Sequence, residues 1–170
     1  MSSSEVLASP ATQLLSRLKA EGLSFAVSEP LATTPAGAAV HGLEDVEQLA
    51  GAHAQNPRDK GLAMRLASAL EAQADWPRLV AVLASAEEGT AEVEERVAIL
   101  LRMAEAVGDG LGDAESAAEC LVKAARLARG ARGAGYARRA AKLYADSGLE
   151  EESRAADSLA HHLEQEDRWR

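Results

Sequence analysis

Cysteine is almost missing from this chain: Cys120 is the only one among 170 residues. A single thiol excludes an internal disulfide and any zinc site built on cysteines. Aromatic residues are scarce too, at 3% of the chain, whereas strands draw on aromatic and β-branched side chains. No apolar run approaches the roughly 20 residues that a membrane-spanning helix needs. The opening Met1-Ser2-Ser3-Ser4-Glu5 has neither the positive start nor the apolar core of a secretion signal. Cations are in deficit, and the formal net charge of −9 speaks against nonspecific affinity for nucleic acid. The expectation is a bacterial-type cytoplasmic protein with no membrane insertion, no nucleic-acid partner and no cofactor.

What the chain does have is alanine, leucine and an internal repeat. Apolar residues make up 47% of it, and close-packed helices suit the small, unbranched ones among them. Leu62, Ala63, Leu66, Ala67 and Leu70 recur as Ile99, Leu100, Met103, Ala104 and Val107, and again as Tyr136, Ala137, Ala140, Ala141 and Tyr144, at a spacing of 37. A second pattern follows each copy: Leu79, Val80, Leu83; then Ala117, Ala118, Leu121; then Ala155, Ala156, Leu159, at a spacing of 38. Positions i, i+1, i+4, i+5 and i+8 share one face of a helix, so each unit reads as a helix pair. Pairs that cannot bury their faces alone must stack on one another.

The spacing predicts pairs over about 58–74 and 77–86, 91–107 and 113–128, and 133–145 and 150–164. A leading helix begins near Leu43 and stops at Asn56-Pro57, since proline cannot continue a helix. Asp75 before Trp76-Pro77 reads as an N-cap, and the Trp76 ring is expected to pack on its own repeat. The difference between the two spacings implies that the turn inside each pair lengthens by one residue per copy. Residues 1–42, with three early serines and Pro10, Pro30 and Pro35, read as a flexible N-terminal arm with a possible short helix over 12–20. The repeat domain is expected over 43–166, with repeats at about 58–90, 91–131 and 132–166. Charge crowds the last helix, as befits a terminal unit that no neighbour covers.

These columns resemble the tetratricopeptide repeat. The family's large, large-small, bulky pattern of the first helix is met by Ala63/Leu66/Ala67/Leu70, Leu100/Met103/Ala104/Val107 and Ala137/Ala140/Ala141/Tyr144. Its second-helix pattern is matched by Leu79/Leu83/Ala86, Ala117/Leu121/Ala124 and Ala155/Leu159/His162. The period here exceeds the family's usual one, and the closing proline is absent after the later copies. The resemblance implies an all-α, right-handed α-α superhelix of about three helix pairs plus the leading helix. It further implies that the first helix of each pair lines a concave face. Met64, Ser68 and Glu71, then Leu101 and Glu105, then Arg138 and Lys142 would point into that groove. Such a protein is expected to be a noncatalytic adaptor that binds a peptide or helix of a partner protein. The alternative is a structural subunit or cargo of a larger assembly, attached through its arm. Leu14, Leu15, Leu18 and Phe25 are the arm's candidate docking residues, for the chain's own groove or for a partner.

Other motifs yield to plainer readings. Between Lys123 and Lys142 stand seven basic residues and no acid, whereas Gly61 to Val122 holds twelve acids and four bases. This belt either steers an acidic partner segment or neutralises the acidic helices beside it. Gly108-Asp109-Gly110-Leu111-Gly112-Asp113 lacks the preceding strand of a dinucleotide loop and the spacing of a calcium loop, so it reads as a loose turn. His161 and His162 are adjacent and point to different faces, unlike a zinc-gripping pair at i, i+4. No metal site is expected, and Cys120 is expected in the core.

Overall fold

The computed structural model describes residues 45–168, and among them it forms seven helices and no strand. They are α1 Val46–Gln55, α2 Lys60–Ala72, α3 Trp76–Gly89, α4 Val93–Glu105, α5 Ala114–Ala128, α6 Gly130–Asp146 and α7 Glu150–Arg168, with a π-helical turn over Ala106–Gly110 after α4. The arm, its short helix and its docking residues Leu14, Leu15, Leu18 and Phe25 lie outside the described residues.

Aspartate starts four of these helices. Side-chain oxygens of Asp45, Asp59, Asp75 and Asp113 accept from the amides of Glu47, Leu62, Arg78 and Ser116, satisfying N–H groups that the first turn leaves without a helical partner. From those starts the apolar columns fall where the 37-residue period places them. Every first-helix column position from Leu62 to Tyr144 is buried or half-buried. Leu79, Val80 and Leu83 of α3 and Ala117, Ala118 and Leu121 of α5 are sealed as well.

The helices pack in chain order, each against the one before and the one after. Ion pairs then tie helices two apart. Arg78 Nη1 of α3 donates to Glu47 Oε1 of α1 at 2.8 Å, Lys60 of α2 pairs with Glu95 of α4, and Arg132 Nη2 of α6 donates to Glu94 Oε2 of α4 at 2.8 Å. First helices therefore stand beside first helices, and second helices beside second helices. That is the order of a stacked solenoid of helix pairs rather than of a bundle closed round one axis.

Four details differ from the expectations. First, only the second inner turn is longer. The left-handed residue before the second helix is Ala74, then Gly112, then Gly148, at spacings of 38 and 36. The extra residue is taken up by the π turn, where the Leu111 amide reaches back to the Ala106 carbonyl, and the third turn returns to the length of the first. The glycine-rich stretch is thus partly helical rather than a loose turn. Second, the Trp76 ring lies against Gly110 of the next repeat; a Cβ there would stand under 3.0 Å from three indole carbons.

Third, α6 begins at Gly130 rather than Gly133, because the chain turns sharply at Arg129 (φ 54) and Gly130 (φ 51). Gly133 instead lies inside the α5–α6 contact, where a Cβ would collide with the Ala125 carbonyl oxygen. Fourth, α7 is rotated from the expected register. It buries Ala156, Ala160 and Leu163, while Ala155 and His162 are exposed and Leu159 is half-buried. The shorter third turn shifts the count, and among the described residues α7 packs chiefly against α6.

Candidate protein-binding face

The first helices α2, α4 and α6 carry the residues assigned to the groove. Met64 and Leu101 stand 37 apart in one column, half-buried, and both pack against the core from its edge. Arg138, the third member, is exposed, and its Nη2 donates to Glu164 Oε1 of α7 at 2.5 Å. Ser68, Glu105 and Lys142 form a second column one turn along, exposed in all three repeats. Glu71 is exposed but bound: Arg102 Nε of α4 donates to its Oε2 at 3.1 Å, and Arg102 Nη2 reaches both that oxygen and Ser68 Oγ, the latter at 3.2 Å. Of the seven residues, the structure therefore gathers Ser68 and Glu71 onto one guanidinium and turns Arg138 toward the last helix.

Arg102 was not among the residues singled out from the sequence. The signal was present, for arginine recurs at the 37-residue period as Arg65, Arg102 and Arg139, each directly after the Met64, Leu101, Arg138 column. An apolar template passes over such a polar column.

Part of the basic belt is consumed inside the protein. Lys123 pairs with Glu87, Arg132 with Glu94 and Arg138 with Glu164, so three of its seven cations neutralise neighbouring helices. The first of these pairs is buried. Glu87 of α3 is 1% exposed, and its Oε1 accepts from Arg96 Nε and Nη2 of α4 at 2.9 and 2.6 Å. Its Oε2 accepts from Lys123 Nζ of α5 at 2.6 Å. Burial pushes this carboxyl's pKa up, but the hydrogen bonds from Lys123 and Arg96 outweigh it, and the net value lies below the usual range. Three helices thus meet on one carboxylate, which sequence spacing alone did not reveal.

Cys120 is buried, and burial above all pushes its thiol up to about 12, so it stays protonated and inert at neutral pH. Among the described residues no group of three or more His, Cys, Asp or Glu is placed to hold a metal ion, and no helix is long and apolar enough to cross a membrane. A cleft of about 380 Å³ between the start of α2 and the end of α3 is lined by Pro57, Arg58, Lys60, Ser85 and Glu88 among others.

No family model matches the chain, and no curated protein matches it. Among solved structures it is similar to MamA MSR-1 C2, a tetratricopeptide-repeat protein, at 20% identity over 72% of this chain and 67% of that one, with a TM-score of 0.49. The helix order and the ion pairs described above stand independently of that likeness.

Proposed function

We propose that this protein is a noncatalytic adaptor or scaffold that holds an extended or helical segment of a partner protein across α2, α4 and α6. The observation that carries the reading is the repeated column. Met64 and Leu101 are only half-buried although they adjoin the core, and exposed Ser68, Glu105 and Lys142 stand one turn along from that column. An apolar strip with a polar rim is the anatomy of a transient protein interface, in which a few buried side chains carry most of the affinity. Arg102, held between Ser68 and Glu71, fixes the spacing of two of the helices that present the strip.

The test is site-specific photo-crosslinking in the native host. A crosslinker placed at Leu101 should trap a discrete partner, and one at Ser158 on the exposed face of α7 should not. Substituting Met64→Asp in the same chain should reduce the trapped product. Equal trapping from both positions, or no dependence on Met64, would count against the reading.

A further inference from the structure

The described stack begins on half a pair. α1 is a second helix: Glu47 ties it to Arg78 of α3, the second helix of the next pair, and Asp45 caps it as Asp75 caps α3 and Asp113 caps α5. Among the described residues no first helix precedes it. Counted from the capping aspartate, Ala50, His53 and Ala54 of α1 stand where α3 has Val80, Leu83 and Ala84. All three are sealed in α3, and Ala118 and Leu121, which match the first two, are sealed in α5. In α1 the first two are half-buried and Ala54 is exposed.

The adjoining stripe of α2 is open as well. Leu62 and Ala69 are half-buried, whereas Ile99 and Ala106, 37 residues on, are buried. Arg102 lies on that stripe of α4 and reaches back to Glu71 and Ser68 of α2, so the stripe faces the preceding repeat. In α6 the bulkier Tyr136 and Leu143 on this stripe are covered in part. Where α1 and α2 begin the stack, an apolar surface of small residues and Leu62 is left that a preceding first helix would cover.

We propose that residues 12–20 are that helix, with Leu14, Leu15 and Leu18 packed on Ala50 and Ala54 of α1 and on Leu62 and Ala69 of α2. Those leucines share one face, at the i, i+1, i+4 spacing that every first helix uses. In each later pair the first helix finishes shortly before the second begins, so the chain ahead of Asp45 leaves α1 from the place where its partner would end. Residues 26–44 do not supply it, because Pro30, Pro35, Gly37 and Gly42 break any helix there. Residues 21–44 then form the connection, and the cost of closing a loop rises only with the logarithm of its length. A helix as short as 12–20 is marginal alone and needs such a surface to form. Docked there, it ends the stack from within the chain, as a capping unit must. Met64 lies on a different stripe of α2, so this inference and the binding face stand separately.

A photo-crosslinking residue placed at Ala54 of the purified full chain, with its products mapped by mass spectrometry, tests the proposal. It should join to residues 12–20 of its own chain, and Leu14→Asp/Leu18→Asp should abolish that product. In the same variant, amide exchange in α1 should speed up about tenfold, the scale of losing one buried leucine, while α6 and α7 stay unchanged. A product that joins two chains would mean that a second copy sits on this end, and it overturns the proposal. So does a crosslinker at Ala54 that never reaches the arm, an arm trapped from Leu101 instead, a product that survives in the variant, or unchanged exchange in α1.

Discussion

At Ala74 the backbone takes φ 55, a left-handed conformation that costs a residue with a Cβ about 1 kcal/mol. The same place in the third repeat is filled by Gly148, at φ 77, and both turns close alike: the Asp75 amide donates to the Leu70 carbonyl and the Leu149 amide to that of Tyr144. Ala74→Gly should therefore stabilise the protein by about 1 kcal/mol, read as a higher urea midpoint at an unchanged slope. Gly110 presents the opposite case. Any Cβ there meets the Trp76 ring, and Gly110→Val should cost about 2 kcal/mol on the same measurement. Cys120 offers a third check at this scale. A thiol reagent at pH 8 should leave it unmodified in the native protein and label it promptly in urea, because burial holds the thiol up at about 12.

Among the elements, α3, α4 and α5 depend on one another through Glu87. Removing a partner from a buried charged cluster leaves the remaining charges without compensation, so Glu87→Gln should cost about 3 kcal/mol at pH 7. The pH dependence follows from the lowered pKa of this carboxyl in the folded state. Its contribution is complete above the unfolded value of about 4.3 and is lost as the pH falls through the still lower folded value. Denaturation curves taken down to about pH 3 should show a steeper acid loss for the wild-type chain than for Glu87→Gln; parallel losses would mean that Glu87 is not the coupled group. The helices themselves were largely legible in the sequence. Leu62 through Tyr144 repeat at a helical spacing, and Asp75 announces its helix as a cap. The triad was not, because Glu87, Arg96 and Lys123 share no period and meet only when three helices converge.

Among the described residues, packing in chain order makes stability a sum of neighbour contacts. Leu83 of α3 is fully sealed, whereas Leu163 of α7 is 4% exposed and, among the described residues, its helix packs chiefly against α6. Leu83→Ala should cost about 3 kcal/mol and Leu163→Ala distinctly less. Hydrogen exchange should be slowest in α4 to α6, which pack extensively on both sides, and fastest in α1; uniform protection along the chain would contradict a stack without closure.

By itself the sequence determined that the chain is helical, that its helices come in pairs, and which face of each of the first six is apolar. These follow from local periodicity, which acts within a few residues and needs no knowledge of neighbours. The tertiary structure alone decided the register of α7, the seat of Trp76 on Gly110, and which cations of the basic belt are spent on Glu87, Glu94 and Glu164. It also decided that Arg102 is held by Glu71. Such outcomes depend on residues far apart in the chain that meet only after stacking, and on single-residue changes in turn length that rotate a whole helix. Periodicity says where an apolar face is; only packing says what covers it.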